Sequence, residues 1–189
     1  MAALVLGHGA GGGVESPDLV GSAGAARSRG LSVALVEQPY RVAGRRSPPS
    51  ASQLDTAWTA VLSQLHDGPL GGLPFVTGGR SLGARVACRT AGATRAVAVL
   101  CLAFPLHPPG RPDMSRLAEL DAVDVPTLVV QGESDPFGTP PDGPDRRVVR
   151  IPGTHSLKSS TEVAAAVSEW LARLGLGVQE HIGEGAPRA

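Results

Sequence analysis

The sequence has few features that would assign it to a specialised class. It holds only two cysteines, Cys88 and Cys101, too few for a disulfide framework and outside any metal-ligand spacing. Both lie in apolar surroundings and read as buried free thiols. Neither charge is in excess, because Lys plus Arg and Asp plus Glu number 17 each. That balance removes the basic stripe expected of a protein whose partner is a nucleic acid or an anionic membrane. No apolar run approaches the roughly 20 residues needed to span a bilayer. Residues 1–6 are apolar but lack a basic flank and run at once into glycines, so they read as a strand and not as a signal peptide. A cytoplasmic protein with no nucleic-acid or membrane partner is the expectation.

What is present is enough for one domain with a real core: 189 residues, 42% of them hydrophobic. Strand-like runs at 3–7, 31–36, 73–77, 96–103, 126–131 and 147–151 alternate with helical patterns. Several are near-continuous Val, Leu and Ala, as strands buried on both faces require. Ser16-Pro17 opens a helix that Gly30 can end. Leu54, Trp58, Val61, Leu62 and Leu65 recur at helical spacing behind a Ser52 cap. Another helix follows Ser81, a short one covers about 113–120, and a last one has Ser159 and Glu162 as a capping box. The fold class expected is α/β, a three-layer arrangement around a six-stranded, mostly parallel sheet. The domain spans 1–174, and the Gly-rich 175–189 is expected to form a flexible tail.

In such sheets ligands bind beyond the carboxyl ends of the strands. One stretch there stands out: Gly78-Gly79-Arg80-Ser81-Leu82-Gly83-Ala84-Arg85. A Gly-x-Ser-x-Gly match alone says little in a chain with 25 glycines. Its position, where a strand ends and a helix begins, is what a nucleophile elbow needs. Gly79 and Gly83 leave room for the sharp turn, and Ser81 stands at a helix N-terminus that favours developing negative charge. A serine needs a base. Among five histidines, His155 follows the sixth strand and is the candidate, with His107 in the loop after strand four as its competitor. Asp135, after strand five, is the candidate to orient the imidazole, with Glu133 as rival. The run Gly7-His8-Gly9-Ala10-Gly11-Gly12-Gly13 ends strand one; backbone N–H groups of Ala10 and of Leu82 are candidate oxyanion donors, with His8 and Gly9 as supporting residues. The same glycine run partly matches a dinucleotide-binding loop. Arg80 and Arg85 flank the serine; solvated surface arginines are the reading, an anionic-substrate contact the alternative.

These motifs, together with Gln131-Gly132-Glu133-Ser134-Asp135-Pro136-Phe137-Gly138 and His155-Ser156-Leu157-Lys158, resemble the α/β-hydrolase superfamily. More narrowly they resemble the small group with testis-expressed protein 30 and the hydrolase-like domain of an NSL-complex regulatory subunit, and more distantly dienelactone hydrolases. The resemblance implies a Ser81–Asp135–His155 triad acting on an ester or thioester of a small-molecule acyl substrate through an acyl-enzyme, without cofactor or metal. It also implies an absent first hairpin and no lid domain, since only 105–112 would separate strand four from the next helix. A catalytically silent binding or scaffold module and an acyltransferase using the same triad remain alternatives, since a fold does not fix a function.

Overall fold

A computed structural model describes residues 1–177. Six strands, β1 (Ala3–Gly7), β2 (Ser32–Val36), β3 (Phe75–Arg80), β4 (Ala98–Leu102), β5 (Thr127–Gly132) and β6 (Arg146–Ile151), form one sheet in the order β2-β1-β3-β4-β5-β6. All five strand pairings are parallel. The helices are α1 (Pro17–Ser28), α2 (Pro39–Val42), α3 (Ala51–Asp67), α4 (Leu82–Thr90), α5 (Leu117–Asp121) and α6 (Ser160–Arg173). Residues 178–189, which carry most of the expected tail and His181, lie outside the described residues. No helix among the described residues is long and apolar enough to cross a membrane.

Alternation along the strands sorts side chains to two faces. Leu4 and Leu6 of β1, Leu100 and Leu102 of β4, and Leu128 and Val130 of β5 pack with Leu19 of α1 and Val163, Val167, Trp170 and Leu171 of α6. On the opposite face Ala3, Val5 and Phe75 meet Leu54, Trp58 and Leu62 of α3. Beside them Val99, Cys101 and Val129 meet Ala84, Ala87 and Cys88 of α4. The inner strands β1, β3, β4 and β5 are almost wholly buried, which matches the near-continuous apolar runs of β1 and β4 and the apolar centres of β3 and β5. The edge strand β6 instead carries Arg146, Arg147 and Arg150, charges that discourage edge-to-edge pairing.

Local chemistry shifts some boundaries from the sequence reading. The α3 helix is capped by Ser50, in a capping box with Gln53; Ser52 lies inside the first turn. Two prolines at 48 and 49 precede the cap, and the apolar repeat alone does not register them. The Ser159 hydroxyl accepts from Glu162 N, which is the serine half of the expected capping box; the return bond seen at Ser50 and Gln53 is not made here. The α5 helix begins only at Leu117, so the irregular segment after β4 is longer than expected. The short α2, opened by Pro39, had no apolar period to reveal it. Cys88 and Cys101, one on α4 and one on β4, are free and stand with Sγ atoms 3.4 Å apart. Their mutual hydrogen bond, then complete burial, hold the Cys101 thiol well above its ordinary range. Native protein should therefore react with Ellman's reagent far more slowly than denatured protein, in which both thiols are exposed. Rapid native modification would contradict this packing.

Candidate active site

The strand order reverses direction between β1 and β3. The loops that leave their carboxyl ends diverge there and open a crevice. Gly7 and Gly79 are register partners at this point. A Cβ on Gly79 or on Gly83 would overlap the same carbonyl oxygen, that of Gly7. Only glycine at both positions lets the β3–α4 turn close against β1. Ser81, between them, has φ +51° and ψ −104°, a backbone conformation costly for a side-chain-bearing residue. Its N–H is held by Leu102 O at 2.8 Å and its carbonyl by Arg85 N at 3.2 Å.

The Ser81 Oγ lies 2.9 Å from His155 Nε2, and His155 Nδ1 lies 2.9 Å from Asp135 Oδ2. A carboxylate offers no proton, so Nδ1–H donates to Asp135 and the Nε2 lone pair faces the serine hydroxyl. The three residues are 20 and 74 positions apart in sequence along this chain of bonds, and three different loops bring them together. Asp135 is buried. Its Oδ2 also accepts from Gln131 Nε2 at 2.7 Å, and its Oδ1 from Phe137 N at 2.9 Å. The Phe137 ring stacks on the His155 imidazole, with centroids 4.1 Å apart. Asp135 and Phe137, two residues apart in one turn, thus fix the imidazole at its edge and at its face.

Competing residues lie elsewhere. Glu133 is exposed. His107 bonds its own loop, with Nδ1 2.8 Å from Pro108 O, and packs against Gly138. His66 stands edge-on to Phe75 at the start of β3, at the opposite edge of the sheet. Gln131 was not singled out from the sequence, although a buried amide ending an apolar strand was a usable signal. Its Nε2 also lies 3.1 Å from Phe104 O and 2.9 Å from Gly138 O, so its two hydrogens are shared among three acceptors and join the loops after β4 and β5.

His8 is fully buried. Its Nε2 accepts from Gln38 N at 2.9 Å, so its proton sits on Nδ1, which donates to Gly9 O at 2.7 Å. In a planar trans peptide the N–H of Ala10 points opposite to that carbonyl, away from the His8 ring. The Ala10 carbonyl is held by Tyr40 Oη at 3.2 Å. Gly9 runs beside the serine: a Cβ there would lie 3.5 Å from Ser81 Cβ. Leu82 is the first residue of α4, so its N–H has no acceptor within the helix.

The flanking arginines are not solvated, contrary to the sequence reading. Arg85 makes a two-pronged contact with Glu119 at 2.8 and 2.6 Å, tying α4 to α5. Arg89 does the same with Asp55 of α3, at 2.9 and 2.6 Å. Arg80 pairs with buried Asp18 at 2.9 Å. The forked contacts of Arg85 and Arg89 suit arginine because its donors are fixed in one plane. Among the described residues, no group of three or more His, Cys, Asp or Glu side chains has metal-site geometry. A cleft of about 390 Å³ lies beside the crevice, bordered by Gly11, Gly12, Arg80 and Ser156.

Comparison with known proteins identifies the family and the fold. The family model described as an alpha/beta hydrolase domain matches residues 1–162. The solved structure of XC6422 from Xanthomonas campestris, described as an α/β serine hydrolase without lid, superposes with a TM-score of 0.71 at 20% identity, over 92% of this chain and 82% of that one. Est1E from Butyrivibrio proteoclasticus gives 0.69 at 15% identity over 91% and 87%. An α/β serine hydrolase homologue from Coxiella burnetii gives 0.68 at 16% identity over 89% and 84%. At such identities the likeness is one of fold.

The His8 bonds make a stability prediction. His8→Ala leaves the buried Gln38 N–H without its acceptor and should cost about 1–3 kcal/mol in chemical denaturation. An unchanged denaturation midpoint would mean that the His8–Gln38 bond contributes nothing to holding the first loop.

Proposed function

Because this chain belongs to the α/β-hydrolase domain family, we propose that it is a serine hydrolase in which Ser81 attacks an ester or thioester carbonyl, with His155 as base and Asp135 as its orienting acid. The observation that carries the reading is the hydrogen-bonded chain from Ser81 Oγ through both nitrogens of His155 to Asp135. As Oγ bonds to the carbonyl carbon, its proton passes to Nε2, and Asp135 stabilises the imidazolium that results. The carbonyl oxygen becomes an oxyanion at the N-terminus of α4. Leu82 N–H and Ala10 N–H supply its donors, the second oriented by the His8–Gly9 bond. Collapse expels the leaving group, which takes the proton from His155 and leaves an acyl-Ser81. Water, deprotonated by the same imidazole, then releases the acid.

The substrate in this reading is a small acyl compound met in the cytoplasm. The open cleft beside Gly11 and Ser156, about 390 Å³, suits one modest substituent. The segment from Ala103 to α5 is bonded to β5 and the loop after it, Gln131 Nε2 reaching Phe104 O and His107 N donating to Phe137 O, and is closed on itself by Arg116 donating to Pro105 O, which leaves little of it to act as a cover. The runs 78–85 and 135–138 keep the likeness to the testis-expressed protein 30 group within this proposal.

Wild-type protein should label with a fluorophosphonate. Ser81→Ala should abolish labelling and lower ester turnover by roughly four to six orders of magnitude. Folded wild-type protein that never labels would instead favour a silent binding module. Asp135→Asn should cost up to about 10⁴-fold in kcat, because the other imidazole tautomer is then favoured, while Glu133→Gln should have little effect. A reversal of those two effects would move the acid to Glu133. In a p-nitrophenyl ester series, acetate and butyrate should be turned over at least as well as palmitate, since a solvent-exposed chain gains little of the roughly 0.8 kcal/mol available per buried methylene. A steep rise in kcat/KM with chain length would reveal an acyl pocket not seen in this structure.

A further inference from the structure

Asp18 lies in the first turn of α1 and is 1% exposed. A buried carboxylate is costly unless it is paired. Its Oδ1 accepts from Leu19 N at 2.9 Å, and its Oδ2 is in ion-pair contact with Arg80 Nε at 2.9 Å, without hydrogen-bond geometry. The guanidinium does not stop there. Its Nη2 donates to the backbone carbonyl of His155 at 3.0 Å. Its Nη1 runs along the first loop, 3.0 Å from where a Cβ on Gly9 would stand. One planar group therefore touches α1, the His155 loop and the loop that carries Ala10, and it belongs to the residue next to Ser81.

From this arrangement, and resting on the serine-hydrolase reading above, we propose that Arg80 is a positioning residue: anchored by Asp18, it fixes the backbone of His155 relative to Ser81. The imidazole is already held at its ring, by Asp135 at one nitrogen and Ser81 at the other. Ring contacts alone leave the main chain free to shift. The residues on either side of His155, Thr154 and Ser156, are exposed, and Gly153 has φ +127°. The loop's other backbone tie, Ser134 N to Gly153 O at 2.9 Å, falls two residues earlier. The Arg80 bond lands on His155 itself. A simple staple between β3 and α1 needs only the Asp18 contact. The second prong adds a fixed spacing between the end of the nucleophile's strand and the backbone of the base. Displacements of about 1 Å in such a pair cost on the order of 10²-fold in rate.

Two variants separate positioning from stapling. Arg80→Lys keeps a cation beside Asp18 but lacks a fork that reaches both partners. The double variant Asp18→Asn with Arg80→Met removes both charges together and leaves no unpaired ion. Wild-type labelling by fluorophosphonate at Ser81 is measured first. Thermal midpoint, kcat and KM on p-nitrophenyl acetate, and the low-field proton resonance of His155 Nδ1–H are then compared. The expected result is a midpoint near wild type for both variants, kcat lowered about 10²-fold, KM unchanged and a broadened Nδ1–H resonance. Full activity in Arg80→Lys would show that charge beside Asp18 suffices, and would overturn the positioning role. So would unfolding of both variants, which makes the pair a fold staple. A raised KM with kcat intact would overturn it too, making Arg80 a substrate contact. Wild-type protein that fails to label removes the hydrolase reading and this proposal with it, an outcome distinct from active wild type with equally active variants.

Discussion

The carbonyl oxygen of Gly7 fills the space where side chains at both Gly79 and Gly83 would have to go. Much of the crevice follows from that contact. It lets the β3–α4 turn lie against the end of β1 and brings the first loop alongside Ser81. It also supports the left-handed backbone of Ser81, whose N–H is spanned to Leu102 O on the far side. Trp58 completes the packing from below, because its ring lies 3.1 Å from where a Cβ on Gly7 would stand. The end of β1 is therefore confined from three directions by backbone, turn and indole.

Around this confined point the polar groups are arranged so that each side chain does more than one task. Gln131 holds Asp135 and also the carbonyls of Phe104 and Gly138. His8 links the first loop to Gln38 at the mouth of β2. Arginine–carboxylate forks on the outer side of α4 tether the helix to α3 and α5. Partly buried pairs of this kind are sensitive to loss of a single partner, because the survivor is left desolvated and charged.

Much of this was legible in the sequence, for identifiable reasons. The six strands could be read because inner parallel strands must be apolar on both faces. Ser81, Asp135 and His155 were found because each follows a strand, and loops after parallel strands share one edge of the sheet. The structure brings those three into hydrogen-bond contact. What escaped was whatever depends on partners distant in sequence. Nothing near Arg80 says that Asp18, in another helix, will bury its charge, so a solvated arginine was the natural reading. Nothing near Cys88 says that Cys101 will lie beside it. The cap moved from Ser52 to Ser50 because either serine suits the pattern, and only Ser50 is placed to exchange bonds with Gln53. The short α2 is set by Pro39 and by the Tyr40 hydroxyl reaching Ala10 O, neither of which leaves a periodic trace.

The all-parallel sheet has a further consequence, for the time course of folding. Among the described residues every strand pairing is parallel and none is made through a tight hairpin; even β5 and β6 pair residues such as Thr127 and Arg146, and the chain leaving β2 must cross over β1 to set β3 on its other side. Each pairing closes a long loop before it yields any contact energy, which makes such topologies slow to form. The crevice draws on the ends of β1, β3, β5 and β6, so it exists only once nearly the whole sheet has been threaded. During that interval the β1 and β3 segments are unpaired apolar strands in need of protection from other chains. The crevice at Ser81 would be among the last features this chain acquires as it folds, and among the first it loses when the sheet begins to open.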